Sequence, residues 1–426
     1  MLHQKTAIVS SLAARVDTKI GHERAPGTNI ISIQRGDFQE LHITLRPLAN
    51  DNVADLLLRL REVLCDRRAS IVRMDVFGSR DAWVFARHAM RLFFGGVNWP
   101  LLWVHDDSRN SNNVSGVQVL AVSGTEVEPI VLDDQIVGSV YSDGEARHCC
   151  IGGVGPENNS ALKPIQVEQT YARLEAALGL AGMKFTDIHR TWFYLENILA
   201  WYDDFNRVRT TTFKKHGIFD RLVPASTGIG AANSFGAGLT LGAWALQPLR
   251  DTTRVFAVPS PLQCPAPAYG SSFSRAVEIH TPSQSHLLIS GTASIEPGGQ
   301  TAHIGDLPSQ IELTFKVVQA ILESRAMNFG DVTRATAYFR NAGDMRFFDA
   351  WMGEQGLKAL PCVSLRADVC RDDLLFELEL DAIALNAVAN AGERGETNAM
   401  QRRLPPDAAE LSSSRVNGKS VGTALS

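Results

Sequence analysis

MKFTDIHRTWFYLEN (residues 183–197) and MNFGDVTRATAYFRN (327–341) align without a gap. They share Met183/Met327, Phe185/Phe329, Asp187/Asp331, Arg190/Arg334, Tyr194/Tyr338 and Asn197/Asn341. Six identities in fifteen positions at one constant offset mark an internal repeat. The flanks repeat as well. RHCCIGGVGP (147–156) parallels HLLISGTASI (286–295), each an apolar run ending at glycine, as a strand does before a turn. Both are followed by segments with apolar residues at helical spacing, VEQTYARLEAALGLAG (167–182) and QIELTFKVVQAILESR (310–325). Downstream, LTLGAWAL (239–246) matches LELDAIAL (378–385).

A fainter copy opens the chain. ASIVRMDVFGS (69–79) precedes a helix-like DAWVFARHAMRLFF (81–94), then WPLLWVHDD and VSGVQVLAVSG. Arg73 to Pro100 and Arg334 to Pro361 are both 27 residues, whereas Arg190 to Pro224 takes 34. The extra seven are expected to lengthen the middle copy's second helix, AWYDDFNRVRTTTFKKHG. Each unit reads β, α, β, α, β, β, about 100 to 140 residues long, a normal domain size. The expected divisions are 1–130, 131–255 and 256–386, with a polar tail at 387–426 expected to be disordered.

Composition narrows the function. The 426 residues are 45% hydrophobic and 20% charged, enough to bury two or three cores. A net charge of −5 offers no general basic surface for nucleic acid. No apolar run is long enough for a membrane helix, and the N-terminus lacks the continuous apolar stretch of a signal peptide. Six cysteines without paired spacing indicate neither a disulfide framework nor a metal site. The expectation is a cytoplasmic protein free of cofactor and metal, with no HExxH, GxSxG or phosphate loop.

The segment RADVCRDDLLFELELDA (366–382) carries the chemistry. Alternation places Ser364, Arg366, Asp368 and Cys370 on one strand face, and Glu377, Glu379 and Asp381 on the next. Three acids on one face raise one another's pKa if buried. In the repeat alignment they match Gly238, Thr240 and Gly242, so the scaffold does not require acids there. Cys370 matches Ala231 in the same alignment. Tyr194 and Tyr338 recur, which favours a core role for both.

The repeated pattern resembles the RidA-like fold of reactive-intermediate deaminases, which form trimers with sites between subunits. The expected fold class is therefore α/β of the α+β kind: three RidA-like units forming an internal pseudo-trimer, monomeric in solution. TWFYLENILAWYDDFNRVR (191–209), PASTGIG (224–230), LLISGTASI (287–295), RATAYFRN (334–341) and 366–382 resemble more closely the chorismatases, which include 3-hydroxybenzoate synthases. That resemblance implies cleavage of the enolpyruvyl ether of chorismate to pyruvate and 3-hydroxybenzoate, with 4-hydroxybenzoate as a second product. It implies Glu377 as general acid, while Glu379 matches the acid of simple RidA proteins, so the two remain alternatives. A cysteine at Cys370 marks the hydroxybenzoate branch; alanine there marks the branch that forms a diene-diol. For the substrate carboxylates the candidates are Arg366, Arg209 and Arg207, with Gly291 and Ser226 lining the cleft. An imine deaminase is the alternative, weakened because Ser364 stands near the place of that family's arginine; a binding protein without a working site is the third.

Overall fold

The computed structural model describes residues 18–106 and 114–386. The expected tail at 387–426 lies outside them. The first unit contains β1 (Thr18–Ala25), β2 (Thr28–Arg35), β3 (Phe38–Leu45), α1 (Val53–Arg67), β4 (Ser70–Gly78), α2 (Ala82–Phe94), β5 (Leu101–His105) and β6 (Val114–Ser123). The middle unit follows with β7 (Glu128–Leu132), β8 (Gln135–Ser142), β9 (Ala146–Val154), α3 (Lys163–Leu180), β10 (Ile188–Leu195), α4 (Tyr202–Lys215), β11 (Ala225–Ile229) and β12 (Leu239–Pro248). The last contains β13 (Arg254–Val258), β14 (Ala276–His280), β15 (Gln284–Ala293), α5 (Leu307–Ser324), β16 (Val332–Phe339), α6 (Met345–Glu354), β17 (Cys362–Arg366) and β18 (Phe376–Leu385).

Each unit forms a six-stranded sheet, and the three strand orders are equivalent: β1-β2-β3-β6-β4-β5, β7-β8-β9-β12-β10-β11 and β13-β14-β15-β18-β16-β17, each written from its hairpin edge. Pairing is antiparallel except at the β4–β5, β10–β11 and β16–β17 edges. Those parallel pairs need a crossover, which the second helix of each unit supplies. The expectation of β, α, β, α, β, β is two strands short, because an antiparallel hairpin precedes every copy. In the middle unit Asp133 and Asp134, both in the left-handed region, close that hairpin in a two-residue turn.

The insertion in the middle copy is also placed differently from expectation. Helix α4 has 14 residues against 13 in α2 and 10 in α6. Much of the added length therefore lies in the connection to β11, which contains the 3-10 turn Ile218–Asp220.

One face of each sheet packs its two helices in a core of its own, as Phe193 and Leu241 do against Tyr171 and Phe205. The other faces meet in a fourth, shared core containing Phe77, Trp192, Tyr194, Trp244, Tyr338 and Leu365. At its centre the ring of Trp192 lies 3.8 Å from the Arg73 guanidinium, 4.5 Å from Arg190 and 5.2 Å from Arg334. Those arginines occupy the same position in β4, β10 and β16, one per unit, and so mark a pseudo-threefold axis.

Strand pairing corrects the repeat register. Ile188 pairs with Ala245 and Val332 with Ala382, each followed by a bulge at the equivalent residue. Glu377, Glu379 and Asp381 therefore correspond to Thr240, Gly242 and Trp244, two residues along from the sequence alignment. Their counterparts in β6 are Gly116, Gln118 and Leu120. Ala231 corresponds to Ala367, not Cys370, because Ile229 and Leu365 pair with the equivalent tyrosines. The conclusion about the acids survives: neither other unit has one in that row.

Candidate active site

Strand β18 runs through the interior, and its acids at 377, 379 and 381 are all buried. A row of three buried carboxylates needs counter-charge. Arg334 donates from Nε to Asp381 Oδ2 at 2.9 Å and from Nη2 to Glu379 Oε1 at 2.8 Å. Arg190 donates from Nη2 to Glu379 Oε2 at 2.6 Å. The Thr227 hydroxyl donates to the same oxygen, and the Tyr338 hydroxyl donates to Oε1 at 3.2 Å. Four donors thus fill Glu379, whose side chain is fully enclosed. Burial would raise Asp381, yet Arg334 and Arg190 hold it below the usual carboxylate range.

Glu377 has different surroundings. It lines a cavity of about 310 Å³ between the middle and last units. Among the described residues its carboxyl has no hydrogen-bond partner. Burial, reinforced by the Glu379 charge, raises its pKa to about 8, against the opposing pull of Arg190 and Arg275. A carboxyl with that pKa holds its proton at neutral pH and can still release it.

The walls come from both units. Tyr202, Asn206 and Arg209 reach in from α4; Ser226 and Gly228 come from β11. Asp203 also lines it from α4, and Ser271, Arg275, Gly291, Cys370 and Arg371 contribute from the last unit. Arg209 is fully buried and its guanidinium donates to Asn206 Oδ1 at 2.6 Å. Arg275 is anchored on the carbonyl of Cys264 through two hydrogen bonds of 3.0–3.1 Å. Gly291 is required by close approach: a Cβ there would collide with Oε1 of Glu377. Its N–H donates to the Thr227 hydroxyl at 3.0 Å, tying the cavity floor to Glu379. Cys370 borders the cavity as a thiol, since burial and then the Glu377 charge push its pKa up to about 12.

Of the candidates read from the sequence, Glu377, Cys370, Arg209, Gly291 and Ser226 are brought together here. Three are not. Glu379 is sealed behind the cavity in the arginine network. Arg366 stands at the end of β17, pairs with Asp368 at 3.1 Å and does not line the cavity; the strand stops before Cys370, so alternation does not carry through to it. Arg207 is exposed and pairs with Asp204 at 2.7 Å on the solvent face of α4. Arg275, Arg371, Tyr202 and Asn206 were not singled out. The last three stand inside segments already quoted for the resemblance; Arg275 precedes β14, outside the recognised repeat. Tyr194 and Tyr338 are indeed in the shared core, with hydroxyls 3.1 Å apart, but Tyr338 also serves Glu379.

A crystal structure of a chorismatase superposes on 74% of this chain and 93% of its own, with a TM-score of 0.56 and 18% identity. The fold is that of a chorismatase. Curated relatives agree with that fold assignment: a chorismatase of Streptomyces rapamycinicus is 28% identical over 49% of this chain and 67% of its own. A 3-hydroxybenzoate synthase of Streptomyces hygroscopicus is 28% identical over 46% of this chain and 63% of that protein. Among the curated chorismatase relatives the match spans about 60–67% of their length. No family profile matches the chain. Among the described residues, no helix is long and apolar enough to cross a membrane, and no group of His, Cys, Asp and Glu is arranged to hold a metal ion.

Proposed function

We propose that the chain is a chorismatase that converts chorismate to pyruvate and 3-hydroxybenzoate, with 4-hydroxybenzoate as a minor product. The observation that carries this reading is the buried Glu377 carboxyl, with a pKa near 8, facing a cavity lined by arginines. Glu377 gives its proton to the terminal methylene carbon of the enolpyruvyl ether. Water adds to the oxocarbenium carbon and its proton restores Glu377. The hemiketal breaks its bond to the ring oxygen, which stays on the ring as a hydroxyl while pyruvate leaves. Loss of the neighbouring ring hydroxyl with the hydrogen beside the retained one, as water, gives 3-hydroxybenzoate. Arg209 and Arg275 hold the substrate carboxylates, since Arg366 and Arg207 face elsewhere. Glu379, held by its four donors, keeps the Glu377 proton in place as a neighbouring negative charge. Cys370, a neutral thiol beside the acid, directs the outcome to the aromatic product. The protein acts in the cytoplasm as a monomer, its pseudo-trimer being internal. Incubation with chorismate followed by chromatography tests the reading. Release of pyruvate with 3-hydroxybenzoate is expected; ammonia release from an imine substrate instead, or no product, would overturn it.

A further inference from the structure

We infer that Gln118, on a unit that gives no side chain to the cavity, is a positioning residue for the acid: it fixes the guanidinium of Arg334, and Arg334 fixes Glu379 beside Glu377. The inference rests on the proposed role of Glu377 and adds a residue to it.

Three observations carry it. First, Gln118 is buried and reaches across the axis into the last unit: its Nε2 donates to the Ala335 carbonyl at 2.7 Å, clamping the backbone of β16 next to Arg334. Second, its Oε1 accepts from Arg334 Nη1 at 3.0 Å and from the Thr336 hydroxyl at 3.2 Å. The guanidinium fork is thereby divided three ways, with Nη1 on Gln118, Nη2 on Glu379 and Nε on Asp381. Third, the β6 pairing places Gln118 at the position that Glu379 holds in the last unit and Gly242 in the middle one. The same place in the repeat thus holds an amide, a glycine and a carboxylate.

The choice of an amide has a physical consequence. Gln118 orients Arg334 without adding an anion to it, so the anions hydrogen-bonded to Arg334 are Glu379 and Asp381, with Asp75 pulling on it at longer range. The remaining axial cation of the first unit, Arg73, is already matched by Asp75 in a bidentate pair. A carboxylate at 118 would draw Arg334 away from Glu379 and add negative charge to the network. The groups that bear on Glu377 are Glu379 on its own strand, Arg190 from β10, Arg275 before β14, Tyr202, Asp203 and Arg209 from α4, and Cys370 and Arg371 ahead of β18. None of them is replaced in a Gln118 variant, so the effect would come through Arg334 and Glu379 and, in Gln118→Glu, the charge placed at 118.

The experiment is the pH profile of kcat for chorismate turnover in the full chain, for the parent, Gln118→Glu and Gln118→Asn. Gln118→Glu is expected to move the alkaline limb, where the acid loses its proton, upward by about one pH unit. Gln118→Asn, too short to reach Arg334, is expected to lower kcat several-fold with KM unchanged. A merely structural glutamine would lower the melting temperature and leave the limb where it is, and that result would overturn the inference. Should Gln118→Glu not fold, a Gln118→Asn variant with unchanged kcat would overturn it equally. Glu377→Gln is run alongside: if it keeps parental turnover, the acid assignment itself is wrong, whereas its inactivity with an unmoved limb in Gln118→Glu condemns only the role of Gln118.

Discussion

Two junctions in this molecule are built from the same strands and reach opposite ends. Where the middle unit meets the last, Glu377 of β18 lines an open cavity bearing arginines, and Thr227 of β11 sits behind its floor on Glu379 and Gly291. Where the last unit meets the first, the same two positions are Gly116 of β6 and Val363 of β17. There a Cβ on Gly116 would come within 2.6 Å of Val363 Cγ2, so the gap is filled by the valine. The strand positions are common to both; the side chains on them differ, and the cavity also draws on the long connection between β13 and β14, which the short turns β1–β2 and β7–β8 do not match. At the remaining junction Thr240 and Leu102 take the two places, and Thr240 is satisfied by the Val154 carbonyl at 3.3 Å. One acid in three equivalent rows is the pattern of a site, since a scaffold need would recur in all three.

Mutations can break this contrast. The largest effect is expected at Glu377→Gln, which keeps shape and removes the transferable proton. We expect kcat to fall by about 10²–10⁴, measured as pyruvate release, with little change in binding of a chorismate-like inhibitor. Glu379→Gln is its control. With the neighbouring charge gone, Glu377 should ionise more easily, and the alkaline limb should move to lower pH. Loss of activity in the Glu379 variant alone would transfer the acid role to that residue.

The same substitution should alter stability with the opposite sign. Glu377 has an ordinary value of 4.5 and about 8 in the folded protein. Below 4.5 it is protonated folded or unfolded and contributes nothing to pH dependence. Between 4.5 and about 8 the unfolded chain releases a proton that the folded protein retains, so stability falls as pH rises, and above 8 the full penalty is present. Glu377→Gln escapes it and should be the more stable protein at pH 9, by roughly 1–4 kcal/mol in denaturant titration, while the two converge near pH 4. Parallel stability curves across that range would show that Glu377 is not held neutral.

A matched glycine pair sharpens the comparison further. Gly291→Ala presses on the acid itself, and we expect kcat to drop about tenfold or more from its displacement. Gly116→Ala presses on Val363 in the sealed junction and should cost about 1–3 kcal/mol of stability with kcat of the folded protein unchanged. Equal effects of the two on turnover would contradict the assignment of chemistry to one junction. The smallest change in rate is expected at Cys370→Ala, where pyruvate release should persist while product shifts from 3-hydroxybenzoate toward a diene-diol. An unchanged product ratio would make the cysteine packing alone.

Much of this was legible in the sequence, and the failures have physical causes. The gapless match of 183–197 with 327–341 was enough to reveal units that become equivalent sheets. The leading hairpins escaped because EPIVL and RVFAV share a charge followed by an apolar run but no identities. The last strand was aligned two residues off because LTLGAWAL and LELDAIAL alternate with period two, and a strand slid by two keeps every side chain on its face. Arg190 and Arg334 were visible as repeat identities, yet their value as counter-charge depends on the pairing of β10 and β16 with β18, which no local pattern encodes. Arg366 was misplaced because alternation was extended past the end of β17, where the chain turns toward the bridge between Asp368 and Gly230. Arg275 had no partner in the repeat and therefore no signal.

The three arginines around Trp192 carry a further consequence. In a trimer of identical chains, whatever stands at one axial position stands there three times. A glutamate in the place of Glu379 would become three anions converging on one line, and each substitution would be tested in triplicate against its own copies. Fusion into a single chain lifts that restriction. Here the row holds glutamate, glycine and glutamine in turn, and the tryptophan between the cations occurs once, opposite an aspartate and a threonine in the other two units. Symmetry survives in the backbone, where it costs nothing, and is abandoned along the axis, where it would forbid a single proton from being held in a single place.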